Sequence, residues 1–131
     1  MTNRIRKNEE GQTLVEFALI APILFLILFG IVQYGIAFKD SIALTDAVRS
    51  GARQATVSHN APDPVAATKT AVVKAGSDLD SSKLNVTVTA PPWQPGATVT
   101  VTATYPYSIN ILGIVVASGD LHSSTTERVE Y

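Results

Sequence analysis

The sequence predicts an α+β protein: a long N-terminal transmembrane helix that extends into a small extracytoplasmic domain, with a short second helix and a three-stranded antiparallel sheet. Three observations carry this expectation. Residues 17–38 are 22 consecutive residues without a formal charge, and residues 40–57 continue with apolar positions three and four apart. From Leu84 onward the period of alternation changes to two. A chain of 131 residues leaves room for one small domain beyond the apolar stretch.

The uncharged run reads "FALIAPILFLILFGIVQYGIAF". As a helix it reaches about 33 Å, enough for a hydrocarbon core of about 30 Å. Gln33 and Tyr34 interrupt its second half, where an interface tolerates them. Pro22 breaks a helix in water, but a bilayer offers the backbone no solvent, so the helix is expected to persist with a local kink. An ordinary secretory leader needs an apolar region of roughly 7–15 residues ending in a small-x-small site. This run is longer, and "KDSIALTDAVRSGARQA" continues it as helix. Arg4, Arg6 and Lys7 precede the run and Lys39 alone directly follows it, so the N-terminus is expected in the cytoplasm. The chain then divides into a basic cytoplasmic leader at 1–11, a long helix at 12–57 that spans the cytoplasmic membrane once at about 17–38, and an extracytoplasmic α+β domain at 58–131.

Within 40–57, Leu44, Ala47, Val48, Gly51, Ala52 and Ala55 form one face, and Asp46, Arg49, Ser50 and Arg53 the other. Every fourth residue of the row Ala43, Ala47, Gly51, Ala55 is small, which permits close approach either of the domain's own elements or of another subunit. "SHNAPDP" ends the helix with turn residues. Asp63 and Pro64 make an N-cap and first-turn pair, and Gly76 a stop, for a helix over "VAATKTAVVKA". Leu84, Val86, Val88 and Ala90 then alternate with polar residues, as do Ala97, Val99, Val101, Ala103 and Tyr105 with four threonines. These are two half-buried strands joined by "PPWQPG", apolar on one face and hydroxylated on the other. Pro106 is expected to close the second strand. "YSINILGIVVASG" is expected to be a packing or membrane-proximal segment too short to span, and "DLHSSTTERVEY" a third strand. So small a sheet needs the long helix as part of its core.

The composition argues against several functions. A net charge of −1 and a pI near 6.1 give no electrostatic case for nucleic acid as partner. The absence of cysteine removes disulfides, thiolate metal sites and a thiol nucleophile. His59 and His122 have no spaced partner ligands, no serine stands in a G-x-S-x-G turn, and no glycine-rich phosphate loop exists. Asn85-Val86-Thr87 matches a glycosylation triplet but falls inside an expected strand. Trp93, among prolines, is expected to cover the sheet edge. No catalytic residue, metal site or cofactor is expected.

One stretch remains. "EEGQTLVEFALIAPILFLILFGIVQYGIAF" followed by "ALTDAVRSGAR" resembles the TadE-like family, pseudopilins or minor pilin-like proteins of the tight-adherence (Flp-type) pilus machinery. The resemblance covers roughly residues 11–53. In the wider type IVb pilin system, it implies that a prepilin peptidase cuts after Gly11. Gln12 becomes the new N-terminus, and Glu16-Phe17 stand as the assembly pair at mature positions five and six. It further implies a lipid bilayer, other pilin-like subunits and the membrane platform of the pilus machinery as partners. Glu16 then either meets the α-amino group of a neighbouring subunit or snorkels toward headgroups as an interfacial residue. A different reading of the whole chain is an extracytoplasmic binding module on an uncleaved single-pass anchor, with the threonine-rich sheet as its binding face.

Overall fold

The computed structural model describes residues 3–89 and 93–130, with side chains from Gly11 onward. Helix α1 runs unbroken from Asn3–Val57, 55 residues with Pro22 inside, and is about 82 Å long at 1.5 Å per residue. A short 3-10 turn, Ser58–Asn60, leads to α2 at Pro64–Ala75. Three strands follow, β1 at Asn85–Thr89, β2 at Thr98–Ile111 and β3 at Ile114–Arg128, in a three-stranded sheet of order β1-β2-β3 with both pairings antiparallel. The fold class is the expected one. The Ala90 end of the first strand and the prolines at 91 and 92 lie outside the described residues.

The periodicities explain the core. Leu44, Ala47, Val48, Ala52 and Ala55 of α1 are buried against Val99, Val101 and Ala103 of β2 and Val72 of α2, while Asp46, Arg49, Ser50 and Arg53 are exposed. Each large aliphatic side chain fully removed from water there contributes about 1.5–3 kcal/mol. The small-residue row serves the domain itself. A Cβ built on Gly51 would collide with the Val72 side chain, and one on Gly76 would stand 3.3 Å from the Ala47 Cβ. Helix α2 therefore lies close over α1 because neither residue presents a side chain there. Asp63 caps α2 as expected, its carboxylate accepting from the Ala66 amide at 2.9 Å, with Pro64 in the first turn and Gly76 at the end.

The end of α1 is closed by distant residues. Helix C-termini leave carbonyls without intrahelical donors. The Trp93 indole donates to the Ala55 carbonyl at 3.0 Å, and the Glu130 amide donates to the Thr56 carbonyl at 3.0 Å. Trp93 thus ties the β1–β2 connection onto the helix rather than covering the sheet edge alone.

Two expectations for the sheet are corrected. Pro106 does not close β2, which continues to Ile111. The last rung of β1 on β2 is Asn85↔Thr104, so beyond it β2 pairs only with β3 and a residue without an amide proton is tolerated on its free edge. The segment 107–119 is not separate packing but the distal half of a long β2–β3 hairpin, and β3 begins at Ile114 rather than near Asp120. Tyr107 faces Gly119 across the hairpin and lays its ring over it; a Cβ there would meet the ring at 3.1 Å. The pairing Ile109↔Ala117 is followed by Asn110↔Val115, so Val116 is one extra residue on β3, a bulge that bends the hairpin near its end. Leu112 and Gly113 make the turn, both at positive φ (52° and 88°). Such hairpin turns favour Asn or Asp at the first position; leucine there stores strain on the order of 1 kcal/mol.

Candidate assembly segment and membrane-proximal hairpin

Helix α1 has two regimes. From residue 11 to about 29 almost nothing covers it, and the large apolar side chains from Leu14 to Phe38 stay between 47% and 70% exposed. A helix apolar on all sides and uncovered by its own protein suits a bilayer, not water. It is the one helix among the described residues that is long and apolar enough to cross a membrane. From Gly30 the hairpin begins to cover one stripe of it. Gly30, Gln33, Ala37, Ser41, Leu44 and Val48 follow one another at helical spacing, half-buried as far as Ser41 and buried from Leu44.

The four residues singled out in the sequence all lie on the uncovered part. Gly11 is inside the continuous helix, and beyond its own helical backbone no atom of the described residues lies within 4 Å of where its Cβ would be. In a helix interior glycine is worse than alanine by about 1 kcal/mol, so the backbone is locally easiest to open at this residue. Gln12 and Glu16 sit one turn apart, and the Gln12 side-chain amide donates to a Glu16 carboxylate oxygen at 3.0 Å. Glu16 is the only formally charged residue between Gly11 and Phe38. Phe17, the next residue, is exposed. Gln12 and Glu16 share one side of the helix, Phe17 stands about 100° further round, and the four residues do not converge on a pocket. Their arrangement suits a contact with another helix rather than chemistry on a bound molecule.

A second feature was not foreseen as a unit. Between α1 and the distal hairpin lies a cleft of about 420 Å³, lined by Tyr34, Phe38 and Ser41 from the helix and by Tyr107, Asp120 and His122 from the strands. Tyr34 and Phe38 stack with ring centroids 6.5 Å apart and planes 14° from parallel. Below the cleft the Ile111 side chain reaches Gly30, where a Cβ would stand 3.9 Å from Ile111 Cδ1. Alternation alone splits this hairpin at Pro106. The signal that would have joined it is the Leu-Gly dipeptide between two β-branched runs, "SINI" and "IVVA".

The solvent-facing side of the sheet carries hydroxyl rungs. Thr100 and Thr126 bond through their hydroxyls at 2.8 Å, and Thr102 and Ser124 at 3.0 Å. Thr89 and Thr87 extend the two rungs onto β1. His59 and His122 stand apart, and no cluster of metal-ligating side chains forms among the described residues.

Residues 11–53 match the family model described as TadE-like protein, the same family and the same stretch as the sequence resemblance. No curated protein and no solved structure matches the chain significantly.

Proposed function

We propose that this chain is a membrane-anchored pseudopilin or minor pilin-like subunit that takes part in assembling a tight-adherence type pilus or a related secretion apparatus. The observation that carries the reading is Glu16: a lone charge on an uncovered apolar helix, one turn from Gln12 and five residues after Gly11, inside the TadE-like match. In this reading α1 is a single-pass anchor in the cytoplasmic membrane, with the leader inside and residues 58–131 outside. A prepilin peptidase opens the helix at Gly11. The new α-amino group at Gln12 and the Glu16 carboxylate are each costly alone in a low-dielectric layer, and they neutralise one another between staggered neighbouring subunits. The role is one of assembly, without catalysis, metal or cofactor.

Glu16→Gln tests this. The substitution keeps size and the helical face and removes only the charge. Membrane insertion is expected to be unchanged or slightly easier. Co-purification with other pilin-like subunits is expected to fall. Co-purification equal to the parent would sink the charge-pair account. The hydroxyl rungs favour a second reading, a binding module on an uncleaved anchor. That module would tolerate Glu16→Gln and instead lose its ligand when Thr100 and Thr102 are both replaced by valine.

A further inference from the structure

The tip of the β2–β3 hairpin presents Leu112 (78% exposed), Ile114 (68% exposed), Val115 and Val116 outward, four large apolar side chains within five residues. No formally charged residue occurs between Lys83 and Asp120. The first charge on β3 stands six residues from Ile114, about 20 Å up the hairpin at the rise of a strand. Leucine occupies a positive-φ turn position that a polar residue would fill with less strain, so the turn gives up comfort for an apolar end. The tip is also not free in direction. Through Ile111 it is held beside Gly30, eight residues before Phe38, and thus about 12 Å deeper along α1 than the end of the uncharged run.

We infer that this tip is a second membrane contact: it seats at the headgroup–acyl boundary of the outer leaflet of the bilayer that α1 crosses. The inference rests on α1 being a membrane anchor, not on pilus assembly. It places the outer boundary near Gly30 rather than after Phe38. The 20 residues Gly11–Gly30 then cover about 30 Å, the thickness of a hydrocarbon core. Tyr34, Phe38 and Tyr107, which line the cleft just above, fall where aromatic residues gather at a membrane interface, and Gln33 falls there with them. The hairpin stops at the boundary because its free strand edges find no hydrogen-bond partners in hydrocarbon. Glu16 lies inside the core in this placement, where a partner charge matters more.

The absence of cysteine makes a single-site label clean. Full chains carrying Leu112→Cys or Ile114→Cys are labelled with an environment-sensitive fluorophore and reconstituted in phosphatidylcholine vesicles. Phe25→Cys and Thr87→Cys serve as lipid and water references. Blue-shifted emission at 112 and 114, quenched by nitroxides carried near the lipid headgroups and shielded from aqueous iodide, is the expected result. Emission and iodide quenching like those of Thr87 would overturn the inference while a lipid-quenched Phe25 label leaves the anchor standing. Shielding from both quenchers that grows with protein density would overturn it in favour of a second copy covering the tip. A Phe25 label that lipid nitroxides do not reach would overturn the anchor and the tip contact together.

Discussion

Single residues decide how closely the long helix is covered. Gly51 is the clearest case, since the space of its missing Cβ is taken by Val72. Alanine there gains about 1 kcal/mol of helix propensity. It also forces α2 outward at an overpacking cost of about 1–3 kcal/mol, so the net effect expected of Gly51→Ala is destabilising. Adding Val72→Ala makes room for the new methyl, and the Gly51→Ala penalty should shrink or reverse in that background. Denaturant titration of the detergent-solubilised chain, followed by the fluorescence of the single tryptophan Trp93, measures both. Equal penalties in the two backgrounds would show that the close approach at Gly51 is not what matters. The row containing Gly51 was visible in the sequence, but not which neighbour used it. Spacing alone shows that a surface admits close approach; only the folded path of α2 shows that the domain's own helix fills it.

At the scale of elements, the second helix was the most legible because its ends are chemically marked. Asp63, Pro64 and Gly76 each do what their chemistry dictates, and the structure places the helix between them. Asp63→Ala is expected to cost about 1 kcal/mol, within the usual range of about 0.5–2 for a lost N-cap. It should also loosen α2 selectively, seen as faster amide exchange at Ala66 and Ala67 than in the sheet. Uniform exchange across the domain would argue against a local cap. The hairpin was only half legible. Alternation identifies β2 as far as Tyr105, where Pro106 by its usual chemistry ends a strand. What that local rule lacked was the length of β1: with β1 ending opposite Thr104, the proline meets no donor requirement. The turn is hard to read from sequence for a related reason, because Leu112 is a residue that turn chemistry disfavours. Its choice makes sense only once the tip is seen beside the apolar helix.

The whole molecule is an 82 Å-scale rod with its folded domain at one end, and the two halves obey different solvents. At that end the C-terminal part of α1 packs with α2 and the sheet as a small α+β domain, and α1 supplies a large share of its core. Residues 11–29 are almost entirely uncovered by the domain. The division was plain in the sequence, since an uncharged run of membrane length and a period-two region cannot share one environment. Where along α1 the environments meet was not plain, because the run of uncharged residues continues to Phe38 while the hairpin begins to cover the helix at Gly30. The proposed cut after Gly11 has no mark in the backbone, because Gly11 lies within an unbroken helix that runs from Asn3 to Val57.

In the proposed function the chain is cut after Gly11 and displays residues 58–131 outside the membrane. One intact-mass measurement on a Thr87→Cys chain reads both points. Cells holding the prepilin peptidase are converted to sealed spheroplasts and exposed to a membrane-impermeant maleimide before extraction. Thr87 is exposed on β1, and the protein has no other thiol. The expected result for this reading is a chain that begins at Gln12 and carries one adduct, with a Gly11→Leu companion retaining residues 1–11 and the same adduct. A parent chain that still contains residues 1–11, or one that takes up the maleimide only after the membrane is broken, would contradict it.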